Sequence, residues 1–388
     1  MGEQHKAEPA SNIENRLRSL RTERKLSQSD LAGMAGVTRQ AIYAIEANQY
    51  LPTTAVALRL ATALNCRVED LFSLIAPGEV IEGQLVGAES IAPGTRVKVA
   101  KVGDRYTVRP VAGLGEVLNF TVAADGLART VKDGKRSASV KVDLLRDRRS
   151  VDDELVVGGC DPAIFLAGEY FRRRDRRGSV IGWTMGSAAA LEALKREEVH
   201  VAGLHIVDEK SGESNIPYVR RHMKGQSLTI VTFASWEQGL MVRSGNPKGI
   251  RSVADLARKD VVLINREPGA GARLLLDQRL QRDGVPSGRI GGYQRMARSH
   301  LEVGRMIVEG VADVGMGVRS AATLFGLEFI PLQEERYDLV IPSTYLKTHP
   351  GLRLFLDTLV SRSFRREMEA MGGYDTRETG KTLELRGA

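Results

Sequence analysis

From residue 154 onward the sequence alternates short apolar runs with helix-length segments. ELVVGG leads into AIFLAGEYFRRR, SVIGWT into AAALEALKR, and VVLIN into ARLLLDQRL. VHVAGLHIV reads as a further strand, and SHLEVGRMIVEG as a helix that feeds the strand ADVGMGV. Such alternation implies parallel sheets covered by helices, because joining two parallel strands takes a crossover that is usually a helix. Sheets of this kind bind ligands outside the strand C-termini, where loops open onto helices.

One such junction is NREPGAGAR, residues 265–273, followed by LLLDQRL. It does not fit GxxxxGK[ST], since no lysine or hydroxyl follows, and it does not fit GxGxxG, since Leu274 holds the third glycine position. Two readings remain. Backbone N–H groups at the helix start, with Arg273, form a nest for a small anion; or the glycines simply turn the chain into a helix.

The first 75 residues have a different texture. In SQSDLAGMAGVTRQAIYAIE, Ser27 is placed to cap a helix with Asp30 as its box partner, Gly36 to end that helix, and Thr38 to cap the next. In the second helix Ala41, Ile42 and Ile45 fall on one side, and Arg39, Gln40, Tyr43 and Ala44 on the other. The polar arc holds a guanidinium, an amide and a phenol without a carboxylate, side chains that pair with base edges and phosphates. Glu46 lies at its edge, where it braces the fold. Two short helices joined through a glycine make a helix-turn-helix. Leu26-Ser27-Gln28, Ala32, Ala35-Gly36-Val37, Ile42, Ile45-Glu46, Pro52, Ala61, Leu64 and Leu71-Phe72 together resemble the repressor-type (XRE, or Cro/C1) helix-turn-helix family over residues 15–72. That resemblance implies double-stranded operator DNA as partner, Gln28 on a phosphate, Thr38 opening the reading helix, and Arg39, Gln40 and Tyr43 facing the major groove.

Between the halves, RVKVAKV, YTVRPV and SVKVDLL alternate as strands do. A β-rich connector module is expected over residues 76–150, with Arg146-Asp147-Arg148-Arg149 as a solvated link. The net charge of +8 does not locate a DNA face, because residues 1–75 carry nine basic and eight acidic side chains. Cys66 and Cys160 are too far apart in sequence to suggest a disulfide framework. No run of about 18 apolar residues and no signal-like h-region occurs, so a cytoplasmic protein is expected.

The C-terminal half resembles the type II periplasmic-binding-protein fold, specifically the molybdate- or tungstate-binding-like domains fused behind a helix-turn-helix. The resembling stretches are 159–163, 200–205, 238–240, 245–247, 265–266, 269–273, 292–293, 312–315 and 335–339. The resemblance implies two lobes that close on a ligand. Its contacts would come from Cys160 and Asp161, Gly186 and Ser187, and Gly269, Ala270, Gly271, Ala272 and Arg273. Where that family's glycine loop reads Ser and Thr, this chain has Ala270 and Ala272. Asp161 is awkward beside a dianion and is expected to cap its helix. His200 and His205, five apart in an expected strand, read as core or loop residues rather than metal ligands. His300 reads as a helix cap, and the arginines of 172–177 as a solvated helix end.

The resulting expectation is multidomain: an all-α helix-turn-helix domain over 13–75, the β-rich connector, and an α/β two-lobed periplasmic-binding-protein-like domain over 151–376, with a disordered start (1–12) and a tail (377–388). The expected role is a DNA-binding transcription regulator, dimeric, sensing a small anion such as molybdate or tungstate, with no cofactor, metal or catalytic residue. The alternatives are a solute-binding protein or an enzyme on the same fold.

Overall fold

The structure, a computed structural model, describes residues 13–74, 79–114, 122–132, 138–175, 179–208 and 210–387. The expected disordered start (1–12) lies outside them, as do Arg176 and Arg177 of the arginine run. The chain divides into two compact units, at Val80 and Ile81. No helix among the described residues is long and apolar enough to cross a membrane.

The first unit is helical. Helices α1 (Leu17–Glu23), α2 (Gln28–Ala35), α3 (Arg39–Glu46), α4 (Thr54–Ala63) and α5 (Val68–Leu71) are closed by a small antiparallel pair, β1 (Ile13–Asn15) and β2 (Phe72–Leu74). The caps follow the sequence. Ser27 Oγ accepts from Asp30 N while Asp30 accepts from Ser27 N, Thr38 accepts from Ala41 N, and Gly36 ends α2 at φ 62°. Leu17, Leu31, Ile42, Ile45, Leu60, Leu64 and Leu71 fill the interior. Glu46 does brace the fold: Arg21 Nε donates to its carboxylate at 2.6 Å.

The second unit begins with a closed barrel, in the order β3 (Val80–Leu85), β5 (Arg105–Pro110), β4 (Arg96–Val102), β6 (Gly126–Lys132) and β7 (Ser139–Leu144). Val97, Val99, Val108, Val140 and Val142 fill it. The segment expected as a connector is thus a closed module, and it belongs to the same compact unit as the C-terminal half. The expected solvated link is also corrected. Arg146 bridges the buried carboxylates of Asp125 and Glu154 at 2.8 Å each, and Asp147 caps α6 (Arg148–Asp152). Buried carboxylates need such a partner.

The remainder is two-lobed. The first lobe holds the parallel strands β8 (Leu155–Gly159), β9 (Val180–Thr184) and β10 (Val201–Leu204), with helices α7 (Ala163–Arg174), α8 (Ser187–Lys195) and α9 (Ile216–His222). A 15-residue strand, β11 (Leu228–Val242), leads to the second lobe. That lobe comprises β12 (Leu263–Arg266), α10 (Gly271–Arg282), β13 (Met296–Ala297), α11 (His300–Val308), β14 (Val314–Val318) and α12 (Arg319–Leu324). A second 15-residue strand, β15 (Glu328–Pro342), returns antiparallel to β11. Both lobes therefore share one sheet, ordered β13-β12-β14-β11-β15-β10-β8-β9. Register shifts at Thr232/Ala234 and Gln238/Gly239 bracket the crossover, where the ladder is weakest. Helices α13 (Tyr345–Thr348), α14 (Leu352–Leu359) and α15 (Arg362–Ala370) follow, then β16 (Tyr374–Asp375) and β17 (Thr382–Leu385). The segment expected as a tail, 377–388, includes β17, which pairs with β11.

Candidate functional site

In the helical unit the outer arc of α3 is open. Arg39, Gln40 and Tyr43 are exposed, while Ile42 and Ile45 are buried. Thr38 is committed to its cap. Gln28, expected on a phosphate, donates from its amide to Glu46 at 2.9 Å, joining the Arg21–Glu46 pair.

In the two-lobed domain the strand C-termini of both lobes face one cleft. Four helices of eight residues or more, α7, α8, α10 and α11, begin there. The cleft is shut. Ala188 N donates to Gly269 O at 3.3 Å, and a Cβ on Gly186 would lie 3.0 Å from Ala270 Cα. A Cβ on Gly271 would meet the His205 ring at 2.5 Å, so glycine is what allows this approach. The loops of Cys160 and Asp161, of Gly186 and Ser187, and of Gly269 to Ala272 therefore do converge.

Their centre is His205, which sequence reasoning had placed inside a strand. Strand β10 stops at Leu204, so the next residue is free to turn into the cleft. Ser187 Oγ accepts from His205 N at 3.1 Å. His205 Nε2 lies 3.2 Å from Cys160 Sγ, and Nδ1 lies 2.9 Å from Glu335 Oε2. Burial pushes this imidazole toward its neutral form, but Cys160 and Glu335 outweigh burial and hold its pKa at about 10. Gln238 Nε2 donates to the same Glu335 oxygen at 2.7 Å.

Aromatic rings close around it. Trp236 and Tyr337 pack with centroids 4.9 Å apart, and His205 lies 4.9 Å from Trp236 and 5.9 Å from His300. Tyr337 sits above Gly159 and Gly203, each too close to its hydroxyl to carry a Cβ. Several buried polar atoms of this cluster have no partner: Asp161 Oδ2, Trp236 Nε1, Gln238 Oε1, His300 Nε2 and the Tyr337 hydroxyl. Unpaired buried polar groups are costly, so their gathering marks where a ligand or water is to be received.

Arg273 is a correction. Its Nε donates to Asp277 at 3.1 Å, its Nη1 donates to the Arg266 carbonyl at 3.3 Å, and its guanidinium stacks 4.0 Å from the Tyr293 ring. One turn into α10, the side chain leans along its own helix toward its i+4 carboxylate. The fully buried guanidinium near the cleft is Arg266, at the end of β12, which pairs with Glu267 at 2.9 Å and donates to His300 Nδ1 at 3.3 Å. His300 is not the cap of α11; Ser299 is.

Cys160, His205 and His300 each offer one metal-ligand atom, and the three lie within 4.8 Å of one another. Arg266 weighs against a metal. A guanidinium only donates, so His300 Nδ1 must accept and Nε2 must carry the proton, which removes the lone pair a metal needs. Burial, then the Arg266 charge, also keeps this imidazole neutral.

The sequence comparisons agree with this architecture. Residues 17–71 match the helix-turn-helix family model, and residues 168–360 match that of the PBP superfamily domain. The chain belongs to both families. The Bacillus subtilis protein YvgK is 34% identical over 198 residues, 51% of this chain and 63% of YvgK, so the chain spans less than two thirds of that relative. The B. subtilis uncharacterized HTH-type transcriptional regulator YgzD is 37% identical over 62 residues, 16% of this chain and 94% of YgzD. Among solved structures, the sulfate-binding protein SubI from Mycobacterium tuberculosis aligns at 17% identity and TM-score 0.41, covering 57% of this chain and 86% of that one.

Proposed function

We propose that this chain is a cytoplasmic, ligand-responsive transcription regulator. The helical unit binds operator DNA through Arg39, Gln40 and Tyr43, as a dimer on a two-fold site. The two-lobed domain binds a compact oxyanion in its cleft, the class to which the molybdate and tungstate of the sequence resemblance belong. One observation carries the ligand reading: four helix N-termini and three unpartnered donors, on Trp236, His300 and Tyr337, gather at one buried point. Cys160 and Asp161, Ser187, and the backbone of residues 269–272 form its walls.

Ligand binding changes operator affinity only through its different affinity for the two states of the protein. A change of roughly 5–150-fold is the usual range for such coupling. The experiment is a thermal-shift panel of oxyanions on the full chain, followed by operator titration with and without each binder. Ligand at about 100 times its dissociation constant stabilises by about 2.7 kcal/mol. A panel without a binder, or identical operator affinity in its presence, overturns the reading.

A second reading has one observation in its favour. Cys160, His205 and Glu335 line up as a thiol, an imidazolium and a carboxylate that orients it, the pattern of an activated nucleophile. Recovery of bound ligand chemically unchanged supports sensing; conversion of the ligand supports an enzyme.

A further inference from the structure

Cys160 stands just before the 12-residue helix α7. Asp161 beside it caps that helix, as the sequence suggested: its Oδ1 accepts from Ala163 N and from the Tyr374 hydroxyl, both at 2.7 Å. The positive end of a helix favours a thiolate at such a position. The hydrogen bonds then assign the protons. The Glu335 carboxylate only accepts, so His205 Nδ1, 2.9 Å from it, carries a proton. This imidazole is held protonated, so Nε2 carries another and donates to Cys160 Sγ at 3.2 Å. The sulfur is therefore the acceptor in an ion pair, a nucleophile with a proton source at its side.

The surroundings limit what reaches it. Cys160 is 4% exposed, and the lobes are shut over it. Trp236 lies 4.9 Å from the His205 ring, and the Tyr337 hydroxyl lies against Gly159, the residue before Cys160. Trp236 Nε1 and that hydroxyl are buried and unpartnered. A thiolate beside a proton source, in a space that admits only a water-sized reagent, and among donors that await an oxygen, suits oxidation by hydrogen peroxide.

We propose that Cys160 is an oxidation site for hydrogen peroxide, so that the two-lobed domain responds to peroxide as well as to its ligand. Sγ attacks one peroxide oxygen. The S–O bond forms as the O–O bond breaks, and sulfur gives up two electrons to the peroxide. The leaving hydroxide takes the Nε2 proton of His205 and departs as water, which leaves a sulfenic acid and a neutral imidazole. Trp236 and Tyr337 donate to the new oxygen. Resting on the reading of the cleft as an oxyanion site, that oxygen competes for the same donors and weakens oxyanion binding.

The test exposes the full, reduced chain to hydrogen peroxide at about pH 7, removes the excess with catalase, and unfolds the chain into a cyclic 1,3-diketone that traps sulfenic acids. Peptide mass spectrometry reads Cys160 and Cys66 in one sample. Cys66 is the internal reference, because burial pushes its thiol pKa up. An ordinary thiol is only a few per cent ionised at that pH, so Cys160 should be trapped about 30-fold faster than Cys66. Hydrogen peroxide should outpace the bulkier tert-butyl hydroperoxide, and His205→Gln should bring Cys160 down to the Cys66 rate. Cys160 oxidised no faster than Cys66, or equally fast by the bulkier peroxide, overturns the proposal. So does a folded His205→Gln with an unchanged Cys160 rate; if that variant does not fold, the wild-type ratio decides. In calorimetry with molybdate, sulfate and phosphate, the oxidised chain should bind more weakly whichever of them the reduced chain binds, and equal affinity overturns the competition for donors. Trapping at Cys160 in a chain that binds none of the three supports the oxidation site and removes the oxyanion reading alone.

Discussion

Tyr337 fits its place only because two strands of the first lobe carry glycine beneath it. A Cβ added at Gly203 would lie 2.5 Å from Tyr337 Cζ and 2.7 Å from Cε1, and a Cβ at Gly159 would also strike the hydroxyl. Real Cβ contacts do not come so close, and the ring is fully buried between Phe233, Trp236 and His205, with no flexible end to move. Gly203→Ala should therefore cost about 1–3 kcal/mol, the usual penalty for overpacking a core. Tyr337→Ala alone should cost roughly 3–5 kcal/mol, as for other large aromatics. In the Tyr337→Ala background the obstacle is gone, so adding Gly203→Ala should cost almost nothing. Chemical denaturation of the four proteins gives a coupling energy, expected within the roughly 0.5–3 kcal/mol seen for residues in contact. A tolerated Gly203→Ala, or strictly additive variants, would refute the account of how the cleft wall is built.

Three further outcomes are expected. Alanine at Arg39, Gln40 or Tyr43 should each weaken operator binding by about 1–3 kcal/mol if it reads a base, read by fluorescence anisotropy, with the melting curve unchanged. Arg273→Ala should lower thermal stability through the lost Asp277 and Tyr293 contacts but leave oxyanion affinity within about twofold, since its guanidinium is already held by Asp277, the Tyr293 ring and the Arg266 carbonyl. His205 is held protonated with a pKa near 10, above its ordinary value of 6.5. Its contribution is complete below about pH 6.5 and is lost as pH rises through about 10, so the melting temperature should fall between those limits and His205→Gln should flatten the slope.

The helical unit was legible because its determinants are local. Ser27, Asp30, Gly36 and Thr38 act within four residues of their partners, and the apolar spacing of Ile42 and Ile45 follows one helix turn. The barrel was half legible. Strands β4, β5 and β7 alternate, but β3 carries Gly83 and β6 opens on Gly126, each pressed against neighbouring strands, so their pattern is broken where the barrel closes. The cleft was least legible. Its loops could be read from strand-to-helix junctions, but Trp236, Gln238, Glu335 and Tyr337 lie on the long crossover strands, and sequence gives no register between β11 and β15. One signal was available: EERYD places charges inside a segment bounded by apolar residues, and Glu335 and Asp338 are both buried there. Buried charges in a strand call for partners, and those of Glu335, which are His205 and Gln238, belong to the site.

Arg266 and Arg273 flank the same glycine turn, and the sequence pointed to Arg273 as the one in the anion nest. Geometry decides in a way that changes the physics of binding. Arg266 has Glu267, Arg273 has Asp277, and Arg319 has Glu237, so each arginine of these three comes with a carboxylate. His205 is likewise paired, with Glu335. Attraction for an anion must then rest on oriented dipoles and on helix N-termini within a buried cleft. Exposed charges are screened over about 8–10 Å at ordinary salt, whereas buried ones are screened much less. The DNA face is the opposite case, because releasing counterions makes log affinity fall by about 0.9 per log salt for each phosphate contacted. Raising salt from roughly 50 to 200 mM, with a chloride-based salt, should therefore weaken operator binding steeply and leave oxyanion affinity almost flat. An oxyanion affinity that falls in parallel with operator affinity would mean that free surface cations do the binding, and the dipole-lined cleft would not be the site.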